Sequence, residues 1–213
     1  LTCANFEPVK CHTLVTEATF GLPVFQHPEE KNEIQKLIKS LLLFPERPHL
    51  VGVYALGKAQ RVINLLRLEG YDKNIFIHGS LERLCNYYDQ NHVKLGDLTK
   101  VNLGNKNEYN GQIILAPPSA IKNVWARKFE DPIICQASGW MSIKQRAKQS
   151  LVELPLILSD HADWNELTNY IKFTDAEKVY VTHGREEAII HWCGINNIDA
   201  IPLSLSGRDD EEQ

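Results

Sequence analysis

An α/β fold with a mostly parallel sheet is the architecture this sequence predicts, and three observations predict it. Short apolar runs of strand length alternate with segments whose apolar residues recur at helical spacing. Gly and Pro punctuate the changeovers, as at Gly21-Leu22-Pro23 and Pro117-Pro118. Three strand runs stop at an acid or a histidine, and the carboxyl ends of strands are where open α/β sheets form their sites.

The elements follow in order. Residues 13–15 are a β-branched strand run that presents Glu17 beyond its end, before Gly21 and Pro23 break the chain. From residue 28 to 43, Ile34, Leu37, Ile38 and Leu41 fall at helical spacing, and Glu29 and Glu30 suit a helix start. Residues 49–54 read as a strand, and residues 55–60 lead into a helix through Val62, Ile63, Leu65 and Leu66. Residues 75–77 are a strand, and Ser80 is expected to cap a helix through Leu84 and Tyr88. Residues 113–116 are a strand stopped by Pro117-Pro118, with Ser119 as the expected cap of a helix to Val124. Residues 133–137 are a strand that runs into Ser138-Gly139-Trp140. Residues 156–158 are a strand ending at Ser159-Asp160-His161, followed by a helix over 165–173. A strand over 178–182 ends at His183-Gly184; a helix over 186–193 and a last strand over 200–203 complete the chain.

The 213 residues suffice for one large domain or two small ones. Apolar residues make up 43% and charged residues 23%, as in a soluble globular protein. No run approaches the ~18 apolar residues of a membrane span, and the first residues do not read as a signal peptide. The five cysteines are scattered without C-x-x-C spacing, which points to reduced thiols and a cytoplasmic protein. The net charge of −4 supplies no overall basic character. Four of the acids lie in the terminal run 206–213, an expected disordered tail, so a local basic groove stays open. The sequence divides into residues 23–149, an inserted α/β domain, and residues 1–22 with 150–205, a second layer system; the polar, basic stretch 144–150 is the expected link.

Three strand ends carry the chemistry: Glu17, Asp160-His161 with Asp163, and His183. One histidine after a strand is more often structural than a ligand; three such ends in one chain shift the balance. Asp163 also suits the N-cap of the following helix. Gly57 and Lys58 sit at a strand-to-helix turn that could hold a phosphate or could be a close-packed turn. Ser138 and Gly139 stand at another strand end, beside Trp140, which suits either base stacking or the core. His12, His27, His49, His78, His92 and His191 have no motif around them and read as surface or structural.

The segment Thr16-Glu17-Ala18-Thr19-Phe20-Gly21 resembles motif A of the β-CASP branch of the metallo-β-lactamase superfamily. Ser159-Asp160-His161-Ala162-Asp163-Trp164 resembles its motif B, and Val181-Thr182-His183-Gly184-Arg185-Glu186 its motif C, in the same order. Residues 55–60 resemble the family's Gly-Arg-Ala-Gln helix start and residues 137–141 its Ala-Ser-x-Gly-Met loop. Ala18 stands where that family has Ser and Asp160 where it has Ala; with Trp164, these departures are similar to the bacterial ligase-associated DNA exonucleases, which in turn resemble messenger-RNA 3′-end processing factors.

The resemblance implies a β-CASP domain inserted in the C-terminal half of an αββα metallo-β-lactamase fold. It implies metal-dependent phosphodiester hydrolysis of nucleic acid, of DNA before RNA, with two divalent metals, Zn or Mn, in the full-length protein. Partners by the same likeness are an ATP-dependent DNA ligase and a helicase. His183 is the implied metal ligand, and His161 with Glu17 the implied general-acid unit, with Asp160 and Asp163 as orienting carboxylates. Lys58, Gly57, Ser138 and Gly139 are the implied substrate contacts. The family's His-x-His-x-Asp-His motif does not occur among the eight histidines. The chain is therefore expected to be part of a longer polypeptide, to bind no metal tightly and cleave nothing by itself, and to self-associate, as a homodimer, through an uncovered sheet. An RNA 3′-end processing nuclease is the alternative within the enzyme class; a non-catalytic nucleic-acid-binding scaffold is the alternative outside it. A Rossmann-like binding domain would show G-x-G-x-x-G, and no such run is present.

Overall fold

Strands buried on both faces must read as continuous apolar runs, and Leu50-Val51 and Ile113-Ile114-Leu115 are such runs. In the computed structural model, which describes residues 2–3, 6–102 and 106–205, they form the centre of a parallel sheet. The elements are β1 (Thr13–Ala18), α1 (Glu30–Leu43), β2 (His49–Gly52), α2 (Lys58–Leu68), β3 (Ile75–Ile77), α3 (Gly79–Gln90), β4 (Leu98–Lys100) and β5 (Ile113–Ala116). They continue with α4 (Pro118–Ile121), β6 (Ile133–Ala137), α5 (Lys144–Gln149), β7 (Leu154–Leu156), α6 (Trp164–Thr174), β8 (Lys178–Gly184), α7 (Glu186–Ile195) and β9 (Ala200–Pro202). The mostly parallel α/β architecture of the sequence reading is the one observed. Among the described residues no helix is long and apolar enough to cross a membrane. The cysteines are free thiols.

The chain divides into two compact units. The larger holds residues 28–160 and a six-stranded sheet in the order β4-β3-β5-β2-β6-β7, every pair parallel. Alternate residues of β2 serve opposite faces. Val51 joins Ile113, Leu115, Ile133 and Cys135 under α1, α2 and α3, where Ile34, Leu37, Val62, Ile63, Leu66 and Leu81 complete one core. Leu50 joins Phe76 and Ile114 on the other face, beneath Tyr109, Ala126 and Phe129. Two buried polar groups lock this unit. His49 Nε2 lies 2.8 Å from Ser40 Oγ, and His49 Nδ1 lies 3.2 Å from the Arg47 carbonyl. Glu33, buried within α1, accepts the Ile157 N–H at 2.8 Å and pairs with Lys36.

The smaller unit holds residues 6–27 and 161–205 of the described chain. Its three strands run parallel in the order β1-β8-β9. One face is buried: Leu14, Ala18, Val179 and Val181 pack with Leu167 and Ile171 of α6 and Ile189 and Cys193 of α7. The opposite face is more open, with Val15 56% exposed.

The structure corrects the sequence reading at several elements. Residues 154–156, expected in the smaller layer system, pair with β6 in the six-stranded sheet, and the units divide after Asp160. Residues 144–149, expected as a link, form α5, a short helix pinned by buried Ala147. Strand β4 is an addition; its three residues carry only one apolar side chain, too short for periodicity to show. His78 caps α3 by accepting the Ser80 N–H, so Ser80 is the capped residue and not the cap. Helix α4 starts at Pro118 and lasts one turn, so Ser119 caps nothing. The terminal run 206–213 lies outside the described residues.

Candidate functional site

In the smaller unit, β1 and β8 bring two of the motifs side by side. Glu17 stands opposite Thr182, but Ala18 stands opposite Gly184, so the ladder carries a bulge and His183 is the extra residue. Such a bulge re-aims the side chain it carries. His183 sits in the left-handed region at φ 56° and is exposed. Few non-glycine residues adopt that conformation, and they cluster where structure around them demands it. Here Ala18 makes the demand. Its carbonyl accepts the Arg185 N–H at 3.0 Å across the bulge and the Gly21 N–H at 3.0 Å within its own turn. Gly184 follows at φ 120°, and a Cβ there would overlap the same carbonyl, so only glycine fits.

Glu17 is oriented at both carboxylate oxygens. Oε2 accepts the Thr19 N–H at 2.6 Å, and Oε1 lies 3.3 Å from His161 Nδ1. Half of the His161 side chain is exposed, as is about a third of that of Glu17. Phe20, wholly buried, turns its ring toward His161 at a centroid distance of 6.1 Å and packs on Phe25 and His27. This backing ring is absent from the sequence-derived candidates; its place close to Glu17 in a Gly-terminated turn is the signal that could have found it.

Asp163 has a structural post. Its Oδ1 accepts the Glu166 N–H at 2.9 Å while Glu166 returns a bond to the Asp163 N–H at 3.0 Å, the reciprocal capping box of α6. Its Oδ2 accepts the His27 N–H at 2.8 Å. Both oxygens are thus committed to backbone, which gives Asp163 the N-cap role of its two sequence readings.

The remaining expected residues lie in the larger unit. The Lys58 ammonium is buried, donating to the Leu158 carbonyl at 2.6 Å and pairing with Asp160 Oδ1 at 3.0 Å. Burial pushes its pKa below the ordinary lysine value, and the Asp160 charge opposes that shift. The Gly57 N–H donates to Gln60 Oε1 at 2.8 Å. The close-packed turn is therefore the reading the structure favours here: this ammonium and amide serve the chain's own groups. Asp160 is also held by Arg61 at 3.2 Å, so its carboxylate ties the end of this unit to α2. Ser138 caps the short turn 139–142 by accepting the Trp140 N–H at 3.3 Å, and Gly139 is buried. Arg146 lies over the face of Trp140, 4.0 Å from the ring centroid. Among the described residues, no three His, Cys, Asp or Glu side chains are grouped as a metal ion would require.

The fold and these side chains define an α/β protein with a carboxylate–imidazole pair beside a bulged histidine. No family profile matches the chain. Over 174 residues it is 23% identical to a protein of Opitutus terrae described as a probable DNA ligase. That match takes in 80% of this chain and only 16% of the relative. Among solved structures, a protein of unknown function from Enterococcus faecalis V583 superposes with a TM-score of 0.54 at 12% identity, over 84% of this chain and 48% of that one. The chain thus spans about half or less of each protein it is compared with, and the structural likeness concerns the fold.

Proposed function

We propose that this chain contributes to phosphodiester hydrolysis in DNA, as the β-CASP-bearing part of a metal-dependent exonuclease of the metallo-β-lactamase superfamily. The observation that carries the reading is the juxtaposition of Glu17, paired with His161, and His183, raised on a bulge of the next strand. The likeness to a fraction of a probable DNA ligase supports DNA as the substrate; a DNA ligase and a helicase are the partners this reading implies. In this reading the larger unit, residues 28–160, is the inserted cap, and two chains associate as a homodimer.

That family uses two divalent cations, Zn or Mn, to activate water and neutralise charge on the phosphate. The described residues do not by themselves fit such a pair: His183 would give one imidazole, and a catalytic zinc takes about three protein ligands. The chemistry assigned to this chain is therefore proton transfer. The leaving 3′ or 5′ oxygen needs a proton. His161, with Nδ1 facing Glu17, donates it from Nε2, and the carboxylate stabilises the imidazolium until it does so.

His161→Ala in the natural full-length protein tests this. Cleavage of DNA should fall roughly 10²–10⁴-fold, the range for a general acid. A p-nitrophenyl phosphodiester, whose leaving group needs no proton, should be hydrolysed at close to the wild-type rate. Equal impairment on both substrates would sink the assignment. Wild-type cleavage confined to RNA would move the protein to the RNA-processing reading.

A further inference from the structure

The second face of the six-stranded sheet has a thin cover with an unusual charge. It is roofed by the turn of α4 and the segment to Phe129, which follow β5; the segment from Ser138 through α5 follows β6 and reaches the same face at Ser150. These two connections are neighbours. A Cβ on Gly52 of the intervening β2 would lie 3.5 Å from Ile121 of α4 and 3.6 Å from Gln136 of β6. Lys122 at the end of α4 and Ser150 at the end of α5 line the same small cavity with Gly52, Ile134 and Gln136.

Residues 117–129 carry Lys122, Arg127 and Lys128; residues 138–152 carry Lys144, Arg146 and Lys148; neither stretch contains an acid. All six cations are exposed, in a chain whose net charge is −4. Lys36, Arg47, Lys58, Arg61 and Lys100 of the same unit each pair with a carboxylate. The six do not, among the described residues. The acids that bracket the two stretches are Glu130, Asp131 and Glu153, and the last two are taken by Arg47. Like charges gathered without counterions raise the local positive potential and draw in a polyanion. The one aromatic among the cations of the second stretch, Trp140, is half-buried and covered by the Arg146 guanidinium at 4.0 Å, which fixes that cation over a flat surface.

We propose that this face of the larger unit, from Lys122 to Lys128 and from Lys144 to Lys148, is a phosphate-tracking surface that holds a nucleic-acid strand by its backbone. It deepens the nuclease reading above by naming where substrate is held away from the reacting phosphate. Recognition of this kind is sequence-independent and steeply salt-dependent, because each phosphate neutralised releases condensed counterions.

The test uses a fluorescein-labelled single-stranded DNA of mixed sequence, with EDTA present so that no turnover intervenes, and measures anisotropy across a salt series. Two variants each remove three charges: Lys122→Gln/Arg127→Gln/Lys128→Gln and Lys144→Gln/Arg146→Gln/Lys148→Gln. A third, Lys31→Gln/Lys39→Gln/Lys73→Gln, makes the same charge change at exposed positions elsewhere on the unit. Each of the first two should bind roughly tenfold or more weakly at low salt, and the slope of log affinity against log salt should become shallower by about 2, at about 0.7 for each phosphate no longer neutralised. The third should bind as wild type, and all should keep the wild-type melting curve. Undiminished binding by the first two, an equal loss in the third, or displacement of the probe by polyglutamate as readily as by unlabelled DNA would each overturn the proposal. Because EDTA removes catalysis from the readout, a protein that binds as described but cleaves nothing would count against the nuclease reading alone.

Discussion

Glu17 Oε1 lies 3.3 Å from His161 Nδ1 while Oε2 of the same carboxylate is fixed by the Thr19 N–H at 2.6 Å, so the imidazole meets an acceptor that its own strand end holds in place. A residue held at both oxygens loses little freedom when the histidine takes a charge. In the proposed reaction Glu17 is therefore a positioning residue for His161.

Glu17→Gln keeps an oxygen for the Thr19 N–H and loses the charge that stabilises the imidazolium. It should show a milder form of the His161→Ala pattern: slower DNA cleavage with a near-normal rate on the p-nitrophenyl diester. A uniform loss on both substrates would make Glu17 merely structural.

His183 and the glycine after it separate function from fold. His183→Gly relieves a left-handed φ of 56° and should melt at or above the wild-type temperature, by up to about 1 kcal/mol in stability. It should nevertheless abolish cleavage and lower bound metal in the full-length protein, because the bulge presents nothing without its imidazole. Gly184→Ala, by contrast, forces a Cβ onto the Ala18 carbonyl and should cost on the order of 3 kcal/mol. Full metal content in His183→Gly would refute the ligand role.

Asp163→Ala removes the cap of α6 and leaves the His27 N–H without its acceptor. The loss should be about 2 kcal/mol, read from the urea midpoint. Asp163→Asn, which retains one acceptor oxygen, should lose clearly less. Equal losses would mean that the carboxylate's charge, not its capping geometry, is what matters there.

His49 gives the fold an acid-sensitive point. Burial holds its pKa below the ordinary value, so the ring is neutral in the fold, bridging Ser40 and the Arg47 carbonyl. In the unfolded chain it titrates near ~6.5. Below that pH the unfolded state takes up a proton that the folded state refuses, and stability falls as pH falls, by at most about 1.4 kcal/mol per pH unit from this one group. Comparing urea midpoints at pH 7.5 and 5.5 for wild type and His49→Gln should show the smaller pH dependence in the variant. An unchanged difference would assign the acid sensitivity elsewhere.

The sequence by itself determined the alternation of strands and helices and the central strands of the large sheet. Apolar runs such as Ile113-Ile114-Leu115 can be stable only when covered on both faces, whatever the tertiary detail. It also singled out Glu17, His161 and His183, because a polar side chain ending an apolar run is visible in one dimension. Tertiary structure decided the rest. Which sheet received residues 154–156 depended on pairing with β6, and a three-residue strand is too short to carry its own partner preference. Whether Lys58 faces substrate or its own chain depended on a carbonyl one hundred residues away, at Leu158. Asp163 had two readings in the sequence, and only the approach of the Glu166 and His27 amides chose between them. The bulge at His183 arises from the register of two strands more than 150 residues apart, and register is a property of the pair that neither strand's sequence contains.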